Sequence, residues 1–427
     1  MSQIYLVSSQ QQIFDNPTYK IISVEESLRL LEPLKIVGLD TETEGFSPFL
    51  KKLLMLQLGN RDFQVVIDCT TVNVKLYKEY LESDRLFIGW NLKFDVKFLF
   101  YHGIVPKNLY DGFLAEKMRW LGWPSGMHSL SLKSAGENYL GVKLDKTVRG
   151  QIIWKKELTD EIVKYAANDV KYLEDIMNAQ TAILYERGQK LALEVENKAI
   201  LPTAYFEFCG VRLDTEKWQA KMKKDEAKLK EAQDELDKFI VDLYNEGAKG
   251  IDRFIEMAYP DLFGFVKAGP KCKVNWNSSK QVIPLLEFFG FDLMTRDKVK
   301  GGMKKSVDAT VIEGQINKHP IAKVYLRFKA AQKVTSTYGQ NFLDLINPKT
   351  GRIHTSFNQI GTDTHRYSSG GGDDREVIPG KKVPLVNLQN LPADAETRAC
   401  FISETGNKWI SADYSGEESV IYPRTRL

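Results

Sequence analysis

Several features are missing or scarce in this chain, and each absence removes a class of protein. The four cysteines, Cys69, Cys209, Cys272 and Cys400, are scattered with no C-x-x-C spacing. That excludes a zinc ribbon and fits the reduced thiols of a cytosolic protein. No apolar run approaches the roughly 20 residues of a membrane span. The N-terminal Ile4-Tyr5-Leu6-Val7 lacks a basic flank, so no signal peptide is read there. Charge of one sign is not in excess: the formal net charge of +3 permits nucleic acid as a partner without arguing for it. What is present is ordinary for a globular protein, at 43% hydrophobic and 27% charged residues, which excludes intrinsic disorder. A chain of 427 residues is too long for one core, so two or three domains are expected.

The stretch that carries most chemistry is Ile36-Val37-Gly38-Leu39-Asp40-Thr41-Glu42-Thr43. It begins as an apolar, β-forming run and then places two carboxylates two residues apart. A strand repeats every two residues, so Asp40 and Glu42 project from one face while Leu39 and Thr41 point to the other. Two neighbouring carboxylates repel, and one binds a proton unless a cation sits between them. Oxygen-only ligands suit hard ions such as Mg²⁺ or Mn²⁺. Taken alone, the pair also fits two solvated carboxylates at a strand end.

Around this stretch, apolar segments alternate with turn signals. Ile36–Leu39, Leu53–Leu58 and Phe63–Ile67 read as strands, the last two joined through Gly59-Asn60-Arg61-Asp62 as a hairpin. Phe87-Ile88-Gly89-Trp90 is a further short strand, and helical periodicity runs from Asn91 onward. A meander followed by strands alternating with helices predicts an α/β domain with a mixed sheet. Asn91 and Asp95 are expected to stack on one helix face, with Phe94 and Phe98 as an apolar stripe beside them. Tyr165 and Asp169 are a second i, i+4 pair, and the small Ala166 and Ala167 between them let that helix approach another element closely. Singly, Asp95 also fits a surface helix residue and Tyr165 a half-buried aromatic.

In order, D-x-E on a strand, N-x-x-x-[FY]-D and Y-x-x-x-D resemble the three motifs of the DEDD exonucleases. The tyrosine marks the DEDDy branch, found in proofreading domains and ribonuclease D-like enzymes. The resemblance implies a ribonuclease H-like fold in which Asp40, Glu42, Asp95 and Asp169 hold two divalent metals, Mg²⁺ or Mn²⁺, and Tyr165 orients the attacking water. The residue chemistry agrees: in-line attack on a phosphodiester needs a nucleophile at neutral pH and a stabilised leaving oxygen, and two metals about 3.5–4 Å apart supply both. The same resemblance sets Phe46 against the terminal base, where stacking is worth about 1–3 kcal/mol whatever the sequence. A plain core phenylalanine is the alternative. It also gives Asp111 a structural role after a strand, Asn91 a nucleic-acid contact and Lys146 a phosphate, an exposed lysine being the alternative for the last. His128 reads as a loop or helix-cap residue without catalysis.

Helical stretches dominate to about Tyr185, Leu193–Ile200 begins a helix rich in Glu, and Gly210 with Val211-Arg212-Leu213-Asp214 marks a break and a short extended piece. Trp218–Tyr244 is expected as one amphipathic helix, with Leu229, Ala232, Leu236, Phe239 and Leu243 at alternating three- and four-residue spacing. Its expected partner is the antiparallel stretch Ile321–Tyr338. Lys221, Lys223, Lys224, Lys228 and Lys230 are interleaved with acids and read as a solvated face. Asn275-Trp276-Asn277-Ser278-Ser279-Lys280-Gln281 resembles the N-x-x-S-x-x-Q signature of the family A DNA polymerase thumb, with Asn277 expected to cap a helix. On that resemblance Ser278 meets the duplex backbone, and Lys333, with Lys329, faces phosphates.

After a turn at Asn347-Pro348-Lys349-Thr350-Gly351, Arg352–Phe357 alternates as a strand. Thr364-His365-Arg366-Tyr367-Ser368-Ser369 resembles the family's T-G-R-x-S-S motif and Asn387-Leu388-Gln389-Asn390-Leu391-Pro392 its N-L-Q-N-[IL]-P motif. Arg398 with Phe401 resembles R-x-x-F, and Asp413-Tyr414-Ser415 resembles palm motif A. The implication is that Arg366, Gln389 and Asn390 hold primer and template backbone. Asp413 would be a catalytic metal ligand and Glu418 the steric gate against a ribose 2′-OH. His365 departs from the usual glycine, and residues 370–385 lengthen a normally short connection.

The expected fold class is α/β: a ribonuclease H-like mixed-sheet exonuclease domain over 1–190, a helical thumb region over 191–345, and a partial α+β palm over 346–427. The palm is expected to stop after motif A, without a fingers helix or a second palm carboxylate, so polymerisation is expected only of a full-length protein. The expected function is the 3′→5′ proofreading exonuclease portion of a family A DNA polymerase in DNA replication. It would release nucleoside monophosphates from the 3′ end of single-stranded DNA and also engage primer–template DNA. A cytoplasmic monomer is expected, with no membrane partner, in the host cytoplasm if phage-encoded; the missing 5′-nuclease domain favours a phage-like or minimal polymerase. Two other readings stand beside this one: a ribonuclease D-like exonuclease, and a primer–template binding module without catalysis.

Overall fold

Seven short β-forming runs near the N-terminus pair into one sheet: β1 Gln3–Val7, β2 Tyr19–Ile21, β3 Ile36–Thr43, β4 Leu53–Gly59, β5 Phe63–Asp68, β6 Leu86–Gly89 and β7 Asn108–Asp111. Their order is β2-β1-β5-β4-β3-β6-β7. β4 runs antiparallel to β3 and β5, and the other pairs are parallel. The structure, a computed structural model, describes residues 2–9, 18–123, 126–144, 158–257, 269–297, 302–370, 375–378, 381–383 and 385–412. The chain divides into two units, one of Met1–Arg212, Asp344–Asn390 and Ser403–Leu427, the other of Leu213–Leu343 and Leu391–Ile402.

Both faces of the sheet are covered. Leu39, Leu56, Leu58, Val65 and Ile67 belong to one core with Val96, Phe98 and Leu99. Leu6, Met55 and Val66, on the alternate positions, pack under the helix Asp160–Lys171 through Ile162, Val163, Tyr165, Ala166 and Ala167. That helix starts where the Thr159 side chain accepts from the Ile162 N–H, with Asp160 and Glu161 against its positive end. It lies close on β3 because Gly38 has no side chain. A Cβ there would stand 2.7 Å from the Val170 carbonyl oxygen.

Several expectations are corrected. β3 continues past Leu39 to Thr43, so both carboxylates lie inside the strand, held by pairing with β4 as far as Thr43 opposite Leu53. The helix expected from Asn91 starts at Lys93. Asn91 sits before it at φ 65°, so it does not stack over Asp95. Asn tolerates this left-handed conformation better than most residues, and the Asp111 carboxylate fixes it by accepting the N–H groups of Asn91 (2.8 Å) and Leu92 (2.9 Å). The strand expected over Arg352–Phe357 is split. Arg352–Ile353 pairs with Val211 and Arg212, and Phe357–Asn358 pairs with Ser368–Ser369.

In the second unit the long helix is Thr215–Asn245, and its partner is Ile321–Thr337. The pair is antiparallel: Trp218 donates to the Gly339 carbonyl, Glu235 pairs with Arg327, and Phe239 meets His319. Lys221 departs from the solvated face expected of it. It is buried, pairs with Asp225 one turn on and lies over the Trp218 ring. The helix Ser279–Phe288 is preceded by Ser278 at the cap position, not Asn277. Asn277 instead offers its side-chain oxygen to Gln332. No described helix is long and apolar enough to cross a membrane.

Candidate active site

Strand alternation works as the residue pattern demands. Leu39 and Thr41 are buried, whereas Asp40 and Glu42 are half-buried, on the face roofed by the Asp160–Lys171 helix. The helix contributes Asp169, and one carboxylate oxygen from each of Asp40, Glu42 and Asp169 lies within 4.8 Å of the other two. Three anions at that spacing repel strongly, and a divalent cation relieves the repulsion. Asp169 is on the same helix as Tyr165, one turn away; Tyr165 is buried with Ala166 and Ala167 in the core beneath the helix.

Asp95 is not part of this converging group. It lies in the first turn of the helix Lys93–Tyr101, is 3% exposed, and accepts a 2.5 Å hydrogen bond from the Thr41 hydroxyl. Burial pushes its carboxyl up to about 8, against the pull of the Thr41 hydrogen bond. Thr41 thus ties the Asp95 helix to the strand between the two converging carboxylates. Asp111 is the structural aspartate expected: besides holding Asn91 and Leu92 it accepts from the Phe113 N–H at 2.9 Å and caps the next helix.

The Asp95 helix has a second anchor that sequence reasoning missed. Lys93 and Lys97 flank Asp95, and both pair with the buried Glu207, Lys93 at 2.6 Å. Glu207 also accepts the Phe357 N–H at 2.7 Å. Burial raises the Glu207 carboxyl, but the Lys97 and Lys93 charges outweigh it and leave the group below its usual value. Spacing could have hinted at Lys93 and Lys97, which share a helix face, but nothing local identifies the distant carboxylate they meet.

Phe46 follows β3 and is 57% exposed, its ring edge-on to Phe94 at 6.2 Å. A core phenylalanine would be covered, so that alternative is set aside. His128 stacks on Trp120 with centroids 3.4 Å apart. Among the residues matched to polymerase motifs, Lys333, Arg366, Gln389 and Asn390 are exposed. Asn387 organises the Gln389–Asn390 turn by accepting both N–H groups. His365 has φ 62°, a conformation that favours glycine and accounts for the residue it replaces. Lys146, Asp413 and Glu418 lie outside the described residues.

The comparisons agree with the two halves of this picture. Residues 18–184 match the family described as 3'-5' exonuclease, and residues 265–422 match DNA polymerase family A. DNA polymerase I of Borreliella burgdorferi is 28% identical over 94% of this chain and 40% of its own length. DNA polymerase I of Aquifex aeolicus is 27% identical over 92% of this chain and 60% of its own. Among solved structures, the POL domain of Pol1 from M. smegmatis, in complex with DNA primer-template and dNTP, superposes with a TM-score of 0.60. That match has 17% identity and covers 89% of this chain and 57% of that one. The chain carries a 3'-5' exonuclease domain and, further on, a region that matches DNA polymerase family A. It spans 40% to 60% of the length of those two relatives.

Proposed function

We propose that the chain hydrolyses single-stranded DNA from its 3′ end, one nucleoside monophosphate at a time, as the proofreading activity of a replicative polymerase. The observation that carries this reading is the convergence of Asp40, Glu42 and Asp169. Asp40, Glu42 and Asp169 would hold divalent cations such as Mg²⁺ or Mn²⁺, which would supply a nucleophile at neutral pH and offset charge on the leaving oxygen. Asp40 and Glu42 present their oxygens from one strand face, and Asp169 closes the set from the helix above. Asp95, which the resemblance counts as the fourth carboxylate, lies outside this group, held by Thr41. Tyr165 orients the attacking water one helical turn from Asp169, and exposed Phe46 stacks on the terminal base, with Asn91 and Lys146 along the strand.

The residues matched to family A motifs would serve primer–template DNA in the same reading. Ser278, Lys333, Arg366, Gln389 and Asn390 contact its backbone, with Asp413 and Glu418 belonging to the polymerase site of the full-length protein. The protein is read as a cytoplasmic monomer.

The test is release of labelled mononucleotide from a 3′-labelled DNA oligonucleotide with Mn²⁺, repeated with Asp40→Ala. Wild-type turnover that disappears in the variant and in EDTA is expected, with the folded far-UV spectrum retained. Full activity in Asp40→Ala removes the assignment. An RNA oligonucleotide degraded faster than DNA would favour the ribonuclease D-like reading, and binding to primer–template without cleavage the non-catalytic one.

A further inference from the structure

Gln57 lies wholly buried on β4, in the otherwise apolar run Leu53-Leu54-Met55-Leu56-Gln57-Leu58, and among the described residues neither its Oε1 nor its Nε2 has a hydrogen-bond partner. A buried amide with no partner gives up its hydration and receives nothing in return. Among the described residues nothing therefore rewards glutamine here over leucine or methionine. Such a group calls for a function or for a partner that arrives later.

The register says where that partner is. β3 and β4 are antiparallel, with Gln57 directly opposite Asp40 and Met55 opposite Glu42. Directly opposed residues in such a pair share a face, with Cβ atoms about 4.5–5.5 Å apart. On its other side Gln57 is opposite Val66 of β5, which offers no polar atom. The shared face is the one under the Asp160–Lys171 helix, where Asp40, Glu42 and Asp169 converge. Of the two cross-strand neighbours of Gln57, Asp40 is the polar one.

We propose that Gln57 positions Asp40 for cation binding, its Nε2–H donating to the carboxylate oxygen turned away from the ion. A carboxylate held at one oxygen presents the other in a fixed orientation and with less rotational freedom to lose, which is how outer partners raise metal affinity. Gln57 touches neither substrate nor cation and acts through Asp40. The inference rests on the metal-site reading of the preceding subsection.

The experiment is a Mn²⁺ titration of the full chain by electron paramagnetic resonance, wild type against Gln57→Met, a near-isosteric change. Thermal midpoints are recorded in EDTA. The expected result is a Mn²⁺ dissociation constant raised about 10- to 100-fold, with a metal-free midpoint equal to or above wild type because an unpaired buried amide has gone. Exonuclease activity should return towards wild type as Mn²⁺ is raised. Unchanged Mn²⁺ affinity overturns the proposal, and so does a lowered metal-free midpoint with unchanged affinity, which marks a purely structural glutamine. Should Gln57→Met not fold, Gln57→Leu, which also lacks an amide, reads the same quantity; unchanged affinity there overturns it equally. A wild-type chain that binds no Mn²⁺ sinks the metal-site reading itself, whereas tight and equal binding by both sinks only the role of Gln57.

Discussion

Gly38→Ala adds one methyl group at the point where the Asp169 helix rests on β3, and its consequences follow from distances in the fold. The new Cβ would stand 2.7 Å from the Val170 carbonyl oxygen and 3.1 Å from that of Gly59, whereas ordinary contact begins at 3.4 Å. The third neighbour, the Val170 Cβ at 2.9 Å, is fixed to the backbone like the two carbonyls, so no side-chain rotation gives relief. Relief requires the helix to lift by roughly 0.7 Å, the shortfall against ordinary contact at Val170. Val170 adjoins Asp169, which moves with it, away from Asp40 and Glu42 on the strand. Productive constellations tolerate only about 0.5 Å, and a 1 Å misplacement can cost about 100-fold in rate. Gly38→Ala is therefore expected to lose about 10- to 100-fold in kcat at saturating Mn²⁺. Overpacking of this kind costs about 1–3 kcal/mol in stability, read as a lower urea midpoint of the exonuclease unit. Gly314→Ala is the control, because its nearest neighbours are 3.8 Å and 3.9 Å away and its φ of −62° suits any residue. A Gly38→Ala chain with wild-type rate and midpoint would refute the claim that this contact sets the position of Asp169.

Two further outcomes are expected. Asp95 has a carboxyl raised from 3.8 to about 8, so the fold favours its protonated form; that stability is present below the unfolded value and is lost as pH rises through about 8. Asp95→Asn keeps the neutral shape, so in EDTA it should match wild type near pH 4 and exceed it at pH 9. The gain should be at least about 1.4 kcal/mol, the worth of one pH unit, while nuclease activity disappears. Equal urea midpoints at pH 9 would contradict the assignment. Phe46→Ala should raise KM for a DNA oligonucleotide by the worth of one stacked base, about 1–3 kcal/mol or roughly 5- to 150-fold, with little change in thermal midpoint because the ring is already 57% exposed. An unchanged KM would return Phe46 to the surface.

The strand bearing Asp40 and Glu42, the helix bearing Tyr165 and Asp169, and the antiparallel helix pair beyond Leu213 were legible from local pattern. Each depends on residues two, three or four apart, and burial followed the period. What failed was mostly decided at a distance. The spacing around Asn91 suits a helix, but Asp111, on β7, captures its N–H and holds it at φ 65°. Lysines on a long helix usually face solvent; the burial of Lys221 depends on Asp225 and the Trp218 ring. Asn277 has the side chain of a helix cap, but its oxygen is drawn off by Gln332 on the helix Ile321–Thr337.

Gln57 was legible in a different sense. A glutamine inside Leu53-Leu54-Met55-Leu56-Gln57-Leu58 contradicts its surroundings in the bare sequence, and such local contradictions tend to sit at functional sites. The sequence alone could not say which face it occupies, because that depends on register: a slip of one residue would turn it to the opposite face, towards Leu39, Val96 and Phe98. Pairing with Asp40 fixes the face, and the same pairing places Met55 opposite Glu42. The sheet thus sets an apolar residue beside one of the two converging carboxylates and an amide beside the other. Met55 can pack against Glu42 but cannot donate to it, so orientation through a neighbouring strand is available to Asp40 alone of this pair. If that asymmetry matters, the reciprocal change Met55→Gln should leave Mn²⁺ affinity far less altered than Gln57→Met does. Equal effects from the two variants would mean that β4 acts on the site only through packing.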